Sequence, residues 1–329
     1  MRRYRSEAII VSGAKQILIT GGTGFAGSHL AEYLLAKQPD MGVHLTSLGT
    51  EKERLPVTLH AAVLHKIDLT NFEQTKELFQ EIQPTEIYHL AALAEVGSSF
   101  VQAAKITAVN MQLQLSVLTA LQEVVPTARL LVVGSALEYG KVSLDELPIT
   151  ERQPFRPLNP YAVSKVAQDL LGYAFAESYG LQILRVRAFN HTGERQTTAF
   201  AIPSFAEQIV KIERGEQTEI RVGNLEAIRD ILDVKDVVRA YEVVMQRGKV
   251  GEVYNIGSGV GVSMRSVLDL LIQHATTQIT VTFDPDRLRP ADIPELRADI
   301  RKITALGWQA EIPLQDTVQG ILSFWRSQT

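Results

Sequence analysis

The sequence predicts an α/β protein in which a doubly wound parallel sheet precedes a smaller, mixed α/β region. Through the first half of the chain, short apolar runs alternate with longer amphipathic stretches. This alternation is typical of βαβ units with right-handed crossovers. After about residue 190, helical stretches mix with short strands and with loops rich in Gly, Pro and Arg. We therefore expect an N-terminal extension at residues 1–15, a sheet domain at 16–190 and a partly interleaved C-terminal region at 191–329.

The apolar pattern places the individual elements. Strand-like runs occur at residues 16–20, 43–48, 62–67, 86–90, 129–135 and 182–186. Helical patterns occur at residues 25–37, 72–82, 101–124, 161–179, 204–214, 234–246 and 263–274. The helix at 161–179 follows Asn159-Pro160, a pair that is typical of a helix start. Strands and helices thus alternate up to the run at 182–186.

Composition and charge limit the classes of function. The net charge of −4 gives no overall basic surface, so we expect no nucleic-acid partner. The absence of cysteine excludes thiol nucleophiles, disulfides and cysteine-bound metal, and we expect no metal site. No apolar run reaches the roughly 18 residues that span a bilayer. The apolar residues 8–11 are too few for the core of a signal peptide. We expect a cytoplasmic protein without a membrane partner.

A glycine-rich turn follows the first strand and precedes a helix. In this setting, spaced glycines allow a tight turn, close approach of the backbone to a pyrophosphate and close packing of helix on strand. The N-terminus of the helix then offers free N–H groups to the phosphates. The turn predicts a Rossmann domain that binds a dinucleotide, with an ordinary glycine turn as the alternative. The expected contacts are Gly21, Thr23, Gly24, Phe25, Ala26 and Gly27.

The end of the second strand bears on the choice between NAD and NADP. An acid at this position binds the ribose 2′-hydroxyl of NAD, whereas Arg or Lys favours the 2′-phosphate of NADP. Residues 45–48 read LTSL, and the first acid is Glu51, followed by Lys52 and Arg54. NADP(H) is therefore favoured, and NAD(H) is the alternative.

Two further pairs of residues follow strands and are expected beside the cofactor. Asp68 and Leu69 suit a contact with the edge of the adenine, with a helix cap as the alternative reading of Asp68. Ala91 and Ala92 are small enough to admit the cofactor backbone, although ordinary packing would explain them equally well.

A candidate catalytic set lies on a helix and at a strand end. Tyr161 and Lys165 have the i, i+4 spacing that places both side chains on one helix face. A lysine there is expected to lower the pKa of the phenol, which can then exchange a proton with a carbonyl oxygen. Ser135 ends the fifth strand and can bond the same oxygen. Asn110, in the preceding helix, suits a role in holding a water or the lysine through its carbonyl, with a solvent-facing asparagine as the alternative.

These motifs together resemble the extended short-chain dehydrogenase/reductase family over nearly all of the chain after residue 15. The resemblance implies that Tyr161 is the acid/base, that Lys165 is its electrostatic partner and binds the nicotinamide ribose, and that Ser135 polarises the carbonyl. It also implies a homodimer that forms through helices 101–124 and 161–179. The residues that carry it are Gly21-x-x-Gly24-x-x-Gly27, His89-Leu90-Ala91-Ala92, Ser135 and Asn159-Pro160-Tyr161-x-x-Ser164-Lys165.

Three later segments, at residues 189–193, 223–230 and 287–292, resemble the branch of this family that handles GDP-mannose derivatives. The resemblance implies that His191 faces the nicotinamide and that region 191–329 binds the substrate. Arginine suits a diphosphate because its guanidinium is a planar donor, although a surface charge or an ion pair is the alternative. The expected substrate-binding residues are Ser135, Glu95, Asn190, Asn224, Arg229, Arg289 and Asp292.

One position separates the two reactions of this branch. By resemblance, its dehydratases carry a glutamate that abstracts the C5 proton of the sugar, at the place where this chain has Leu137. Leucine cannot accept a proton, so elimination lacks its base unless Glu138 takes that role. We therefore predict that the C4 keto group of GDP-4-keto-6-deoxy-D-mannose is reduced to GDP-6-deoxy-D-mannose (GDP-D-rhamnose), with Tyr161 as proton donor.

The sequence leaves two rival functions open. A dehydratase or nucleotide-sugar epimerase would use the same Tyr161 and Lys165, and an epimerase would keep its nicotinamide bound. A non-enzymatic regulator that binds NADP is the rival from another class, because a fold does not fix a function. Glu95 departs from the residues common in relatives and is expected either beside the sugar or exposed.

Overall fold

The computed structural model describes residues 15–38, 40–49, 56–94, 100–288 and 293–328. The predicted extension at 1–15 therefore lies outside the described residues, except for Lys15. In the first half, the strands are β1 (Gln16–Thr20), β2 (Gly42–Ser47), β3 (Val63–Lys66), β4 (Glu86–His89), β5 (Arg129–Ser135) and β6 (Ile183–Ala188). The helices between them are α1 (Phe25–Lys37), α2 (Phe72–Ile82), α3 (Ala103–Val124) and α4 (Pro160–Tyr179). Each predicted element of this half is present, with its ends shifted by at most 2 residues.

The C-terminal region mixes short strands with helices, as expected. Its strands are β7 (Asn190–Thr192), β8 (Ile220–Val222), β9 (Ile228–Asp233), β10 (Val253–Ile256), β11 (Gly261–Ser263), β12 (Val281–Phe283) and β13 (Glu295–Leu296). Its helices are α5 (Ala201–Glu213), α6 (Val234–Arg247), α7 (Met264–Gln273), α8 (Arg301–Thr304) and α9 (Leu314–Ser327). Helix α5 begins 3 residues before the predicted start, because Pro203 lies in its first turn, where proline is tolerated.

Within the described residues, the main sheet has the strand order β10-β6-β5-β4-β1-β2-β3. Every neighbouring pair in it is parallel. The strand order reverses at β1, so the predicted doubly wound Rossmann sheet is confirmed. Ligands of such sheets bind beyond the carboxyl ends of the strands at this switch point. Strand β10 lies beyond residue 190, so the sheet takes strands from both parts of the predicted division.

Apolar layers cover both faces of the sheet. Helices α1 and α6 cover one face, and α2, α3 and α4 cover the other. A separate cluster joins α5, α7 and α9. Full burial of one such Leu or Ile side chain stabilises the fold by about 2 kcal/mol. Representative core residues are Leu30, Leu34, Tyr241, Leu118, Leu121, Ala176, Ile209, Leu271 and Ile321. None of the helices in the described part of the chain is long and apolar enough to cross a membrane.

Candidate active site

The glycine-rich turn forms a backbone cradle at the carboxyl end of β1. Gly21 has a φ of 64°, a left-handed conformation that glycine adopts without steric cost. A Cβ on Gly27 would lie 2.3 Å from the Gly21 carbonyl oxygen, so this close approach requires glycine. Helix α1 begins at Phe25 without a side-chain cap and without an acid in its first turn. Its N-terminal N–H groups can therefore bind an anion, and the cradle fits a pyrophosphate.

A cavity of about 950 Å³ extends from this cradle along the carboxyl ends of the strands and into the C-terminal region. A volume of this size lies near the upper end of the range for small-molecule sites. Every residue expected to contact the cofactor lines it, although the contacts themselves stay a prediction. These residues are Gly21, Thr23, Gly24, Phe25, Ala26, Gly27, Asp68, Leu69, Ala91, Ala92, Tyr161, Lys165 and His191.

Asp68 is exposed and belongs to a turn at the cavity wall. Its Oδ1 accepts hydrogen bonds from the backbone N and the Oγ1 of Thr70, at 2.9 and 2.7 Å. The cap of helix α2 is Asn71, whose Oδ1 accepts a hydrogen bond from Gln74 N at 3.2 Å. The alternative reading of Asp68 as a helix cap is therefore wrong.

The end of β2 also reaches the cavity, through Ser47 and Leu48. The first position after this strand is Leu48, which is 69% exposed, and not a carboxylate. Glu51, Lys52 and Arg54, on which part of the cofactor prediction rests, lie outside the described residues.

Two stacked rings lie beside the glycine turn. The rings of Phe25 and His191 are 5.9 Å apart and nearly parallel, with an interplanar angle of 8°. The Nδ1 of His191 lies 3.0 Å from the Phe189 carbonyl oxygen, so Nδ1 carries the proton in this tautomer. Burial lowers the pKa of His191. A neutral imidazole thus lines the cavity at the place where the resemblance puts the nicotinamide.

Ser135, Tyr161 and Lys165 meet at the carboxyl end of β5. The Ser135 side chain is near enough to the Tyr161 hydroxyl to lower the pKa of the phenol. Lys165 Nζ donates a hydrogen bond to the Val133 carbonyl oxygen at 2.8 Å. These three line the cavity, whereas Asn110, the fourth residue of the predicted catalytic set, does not. Both Tyr161 and Lys165 are buried. A carbonyl group placed here would meet a hydroxyl pair and a cation.

The start of α4 directs the catalytic helix toward the cavity. Asn159 Oδ1 accepts a hydrogen bond from Ala162 N at 2.8 Å and so caps the helix. Pro160 occupies the first turn, where its missing N–H costs nothing. Tyr161 therefore lies at the first turn of the helix, next to the end of β5.

Electrostatics at Tyr161 differ from the expectation that Lys165 would lower the pKa of the phenol. Burial raises the pKa of Tyr161, the carboxylate of Glu138 raises it further, and the Ser135 side chain lowers it. Burial lowers the pKa of Lys165. The effect of burial on the pKa of Tyr161 is thus larger than the lowering that we expected from Lys165. At neutral pH the phenol holds its proton, which is the form that a proton donor needs.

Asn110 is fully buried, so the alternative of a solvent-facing asparagine is wrong. Its side chain bonds the backbone of Leu93, and its Nδ2 donates to Ser164 Oγ at 2.9 Å. Its carbonyl oxygen accepts a hydrogen bond from Gln168 Nε2 at 3.0 Å. The expected hold on Lys165 through this carbonyl is not present, because Lys165 donates to Val133 instead. Asn110 joins α3, α4 and the loop after β4 behind the cavity.

Leu137 and Glu138 point in different directions. Leu137 lines the cavity. Glu138 is fully buried and is not part of the cavity wall. Its Oε1 accepts a hydrogen bond from Ser135 N at 2.6 Å, and its Oε2 lies 3.3 Å from Arg187 Nε. A short 3₁₀ turn at Ala136–Glu138 explains this arrangement, because its capping box draws the Glu138 carboxylate back to the backbone of Ser135.

The C-terminal region contributes the other wall of the cavity. Asn190, Asn224 and Arg229 all line it, as expected of substrate-binding residues. Asn224 Oδ1 accepts a hydrogen bond from Glu226 N at 2.9 Å. Arg229 Nη1 donates to the Ile228 and Ile293 carbonyl oxygens, at 2.8 and 2.6 Å. The predicted residues Glu95, Arg289 and Asp292 lie outside the described residues.

One cation at the cavity, Arg287, was not predicted from the sequence. Arg287 lines it, with Nη1 3.5 Å from Ser204 Oγ and Nε 3.4 Å from Asp284 Oδ2. The segment at 287–292 could have indicated it, because Arg287 has the same chemistry as Arg289, which was predicted to bind the substrate. An apolar face of α5, including Ile202 and Phe205, also reaches the cavity and is indistinguishable from core in the sequence. Among residues 15–38, 40–49, 56–94, 100–288 and 293–328, no cluster of His, Cys, Asp or Glu side chains suits a metal.

Both the sequence and the structure of this chain are similar to those of known proteins. The sequence matches the family described as GDP-mannose 4,6 dehydratase over residues 18–321. It is 32% identical to the GDP-6-deoxy-D-mannose reductase of Pseudomonas aeruginosa over 95% of this chain and 98% of that protein. It is 28% identical to the GDP-mannose 4,6-dehydratase of Vibrio cholerae over 92% of this chain and 91% of that protein. The structure resembles that of RMD from Pseudomonas aeruginosa complexed with NADPH, with a TM-score of 0.82 and 31% identity over 96% of this chain and 99% of that chain.

Proposed function

This chain belongs to the GDP-mannose 4,6 dehydratase family of nucleotide-sugar enzymes, and on that premise we propose that it is a reductase. It reduces the C4 keto group of GDP-4-keto-6-deoxy-D-mannose to GDP-6-deoxy-D-mannose, with a nicotinamide cofactor as hydride donor. The observation that supports a reductase over a dehydratase is the position of Leu137. An aliphatic side chain lines the cavity where a dehydratase needs a base, and the adjacent acid, Glu138, is bonded to the backbone outside the cavity.

The catalytic side chains have the chemistry that reduction requires. When bound, the reduced nicotinamide supplies a hydride to C4. The carbonyl oxygen then gains negative charge, and hydroxyl donors directed at that oxygen stabilise it. Tyr161 gives its proton to this oxygen, since burial keeps the phenol protonated. Ser135 bonds the same oxygen, and Lys165 supplies positive charge beside the phenol. One hydride and one proton balance the reduction of the carbonyl to an alcohol.

The proposed cofactor is NADPH, with NADH as the alternative. The glycine cradle has room for a pyrophosphate, because a side chain at Gly27 would collide with the turn. The absence of a carboxylate directly after β2 favours the 2′-phosphate. The relative RMD from Pseudomonas aeruginosa binds NADPH, which supports the same choice.

The proposed binding mode divides the ligands between the two parts of the chain. Residues 16–190 hold the cofactor together with His191, and region 191–329 holds the GDP sugar together with Ser135. Arg229 and Arg287 provide positive charge at the cavity for a diphosphate, and Asn190 and Asn224 provide amides for its oxygens. Glu95, Arg289 and Asp292 remain predicted substrate residues.

A homodimer is proposed by resemblance to the family. Large apolar side chains on α4 are exposed and provide a surface for it, namely Val163, Leu170 and Tyr173. Light scattering of the purified protein should give twice the monomer mass, and Leu170→Glu should reduce it to the monomer mass. A monomeric wild-type protein would rule out the dimer.

A cytoplasmic location stays a prediction from the sequence.

The experiment that tests the proposed function follows NADPH oxidation with GDP-4-keto-6-deoxy-D-mannose. Wild type should oxidise NADPH and form the reduced sugar. Tyr161→Phe should lose roughly 100- to 10,000-fold in kcat, because it removes the proton donor. Tyr179→Phe is the matched control, since Tyr179 is an exposed tyrosine on the same helix and does not line the cavity. An equal effect of the two variants, or no oxidation by wild type, would reject the proposal.

A further inference from the structure

Four charged side chains are buried together behind the catalytic residues. Glu138, Asp169, Arg185 and Arg187 are each less than 8% exposed. Two carboxylates and two guanidinium groups make the cluster neutral at full ionisation. None of the four lines the cavity, so the proposed reaction does not use them as acids, bases or ligands. A buried ion cluster adds little net stability, so its position needs another explanation.

The cluster connects the strand end that carries Ser135 to the catalytic helix. Glu138 Oε1 accepts a hydrogen bond from Ser135 N at 2.6 Å, and its Oε2 lies 3.3 Å from Arg187 Nε. Arg187 Nη2 donates to Asp169 Oδ2 at 2.7 Å. Asp169 follows Lys165 by 4 residues, one turn further along α4. Two charged contacts thus join the two elements that provide the catalytic hydroxyls.

The residues packed around Glu138 and Arg187 leave these two side chains little freedom to move. The Arg187 guanidinium lies over the rings of Tyr139 and Phe155, at 5.1 and 4.5 Å from their centroids. A Cβ on Gly134 would lie 2.3 Å from Glu138 Oε1. The carboxylate is therefore packed against the backbone of β5, and only glycine at position 134 leaves room for it.

We propose that Glu138 is a positioning residue, which acts through Arg187 and Asp169 to fix Ser135 relative to the Tyr161 hydroxyl. This proposal rests on the reductase function proposed above. Two hydroxyls that bind one oxygen must stay close to a single geometry, and displacement by about 1 Å can cost roughly 100-fold in rate. The cluster supplies that constraint from outside the cavity, where it does not compete with the substrate.

Burial, and after it the Asp169 carboxylate, raise the pKa of Glu138 to about 8. Above that pH, the charge of Glu138 has a second consequence at Tyr161. It raises the pKa of the phenol, after the larger effect of burial. The other titratable groups near Tyr161 are Lys165 on the same helix and Tyr241, which faces it from α6. Removal of the Glu138 charge should therefore lower the pKa of Tyr161. The proton donor would then be lost at a lower pH, which gives a readout that a merely structural role would not change.

The experiment compares Glu138→Gln, which keeps an acceptor for Ser135 N but loses the charge, with Glu138→Asp, which keeps the charge but is too short. The upper pH limit of kcat should be lower in Glu138→Gln than in wild type, because the charge that raises the pKa of Tyr161 is gone. In Glu138→Asp, kcat should fall by roughly tenfold to 100-fold with that limit unchanged. The KM for the keto sugar should stay at the wild-type value in both, because Glu138 does not line the cavity.

Asp236→Asn is the matched control. Asp236 is a fully buried carboxylate that accepts hydrogen bonds from Glu311 N and Ile312 N, at 2.9 Å each, and pairs with Arg239 outside the cavity. It should lower the unfolding temperature and leave kcat and the pH limit unchanged. Wild-type kinetics in both Glu138 variants would overturn the proposal. Losses that Asp236→Asn reproduces would overturn it as well.

A second measurement separates this proposal from the proposed function. Amide hydrogen exchange reports on the Ser135 N–H without any substrate. Exchange at Ser135 should be faster in Glu138→Asp than in wild type, because the acceptor no longer reaches the amide. If wild type does not reduce the keto sugar but exchange follows this pattern, the reductase function fails and the link between Glu138 and Ser135 stands. Unchanged exchange overturns the link itself.

Discussion

The carboxylate of Glu138 lies 2.6 Å from the backbone nitrogen of Ser135, outside the cavity that Leu137 lines. Adjacent residues in the turn after β5 therefore have opposite placements. The apolar side chain lies where the sugar is proposed to bind, and the acid lies behind the catalytic hydroxyls. Elimination needs a base on the cavity side of this turn, whereas reduction does not. This relationship supports reduction.

A base can be restored at the cavity wall by Leu137→Glu. The variant should catalyse exchange of the C5 proton of the keto sugar with heavy water, at roughly 100 times the enzyme-free rate, because a positioned general base contributes about that factor. Leu137→Gln is the matched control of the same size without the charge. Proton NMR measures the exchange. Equal rates in the two variants would mean that position 137 does not face C5.

The glycine cradle predicts a specific failure of cofactor binding. Gly27→Ala places a methyl group 2.3 Å from the Gly21 carbonyl oxygen, so the turn must open. The Kd for NADPH should rise at least about tenfold, which corresponds to about 1.4 kcal/mol. Gly320→Ala, in helix α9, is the control, because its nearest neighbour would be 3.6 Å away. Fluorescence titration of NADPH measures both, and an unchanged Kd in Gly27→Ala would argue against the cradle.

Arg287 should contribute to the affinity for the GDP sugar and not to the chemical step. Arg287→Gln removes a cation at the cavity, so the KM for the keto sugar should rise by about tenfold with kcat unchanged. The difference should shrink at high salt, because Arg287 is partly exposed to solvent. Arg247→Gln, an exposed arginine bonded to the Leu306 carbonyl, is the control. A fall in kcat alone would assign Arg287 a different role.

Stability should decrease in mild acid because of a buried histidine. Burial lowers the pKa of His89 from 6.5 to about 3, and its Nδ1 bonds Thr20 Oγ1 at 2.8 Å. Below pH 6.5 the unfolded chain binds a proton at this position that the folded chain does not, so the free energy of unfolding falls as the pH drops. At pH 5 the loss from this group should be about 2 kcal/mol.

Denaturant unfolding at pH 7 and at pH 5 measures that loss. His89→Asn should show less of it than wild type, because the titrating group is gone. His60→Asn is the control, since His60 is exposed. The same dependence on pH in wild type and His89→Asn would assign the acid sensitivity to other groups.

Much of the fold follows from the sequence because periodicity directly reports burial. The runs that became β1 and β5 are apolar on both faces, as strands of a covered parallel sheet must be. Strand β10 was not predicted as part of the sheet. Its four residues have no pattern of their own, and their place beside β6 depends on packing of the whole chain.

The sequence predicts the parts of the candidate site whose geometry depends only on residues close together in the chain. The glycine turn and the Tyr161–Lys165 pair are of this kind. The direction of the Tyr161 pKa shift could not be predicted, because i, i+4 spacing defines a helix face and not the loss of water around it. The burial of Glu138 could not be predicted either. It depends on the ion pair with Arg187 and on the space that Gly134 leaves, and both are properties of the folded chain.

We propose that this chain reduces a keto sugar and does not form one. The most direct test gives the purified protein GDP-4-keto-6-deoxy-D-mannose with NADPH in one reaction, and GDP-mannose with NADP⁺ in another. Absorbance of the reduced nicotinamide and NMR of the sugars follow both. We predict NADPH oxidation with GDP-6-deoxy-D-mannose as the product in the first reaction, and unchanged GDP-mannose in the second. Conversion of GDP-mannose to the keto sugar, without reduction in the first reaction, would contradict the proposed function.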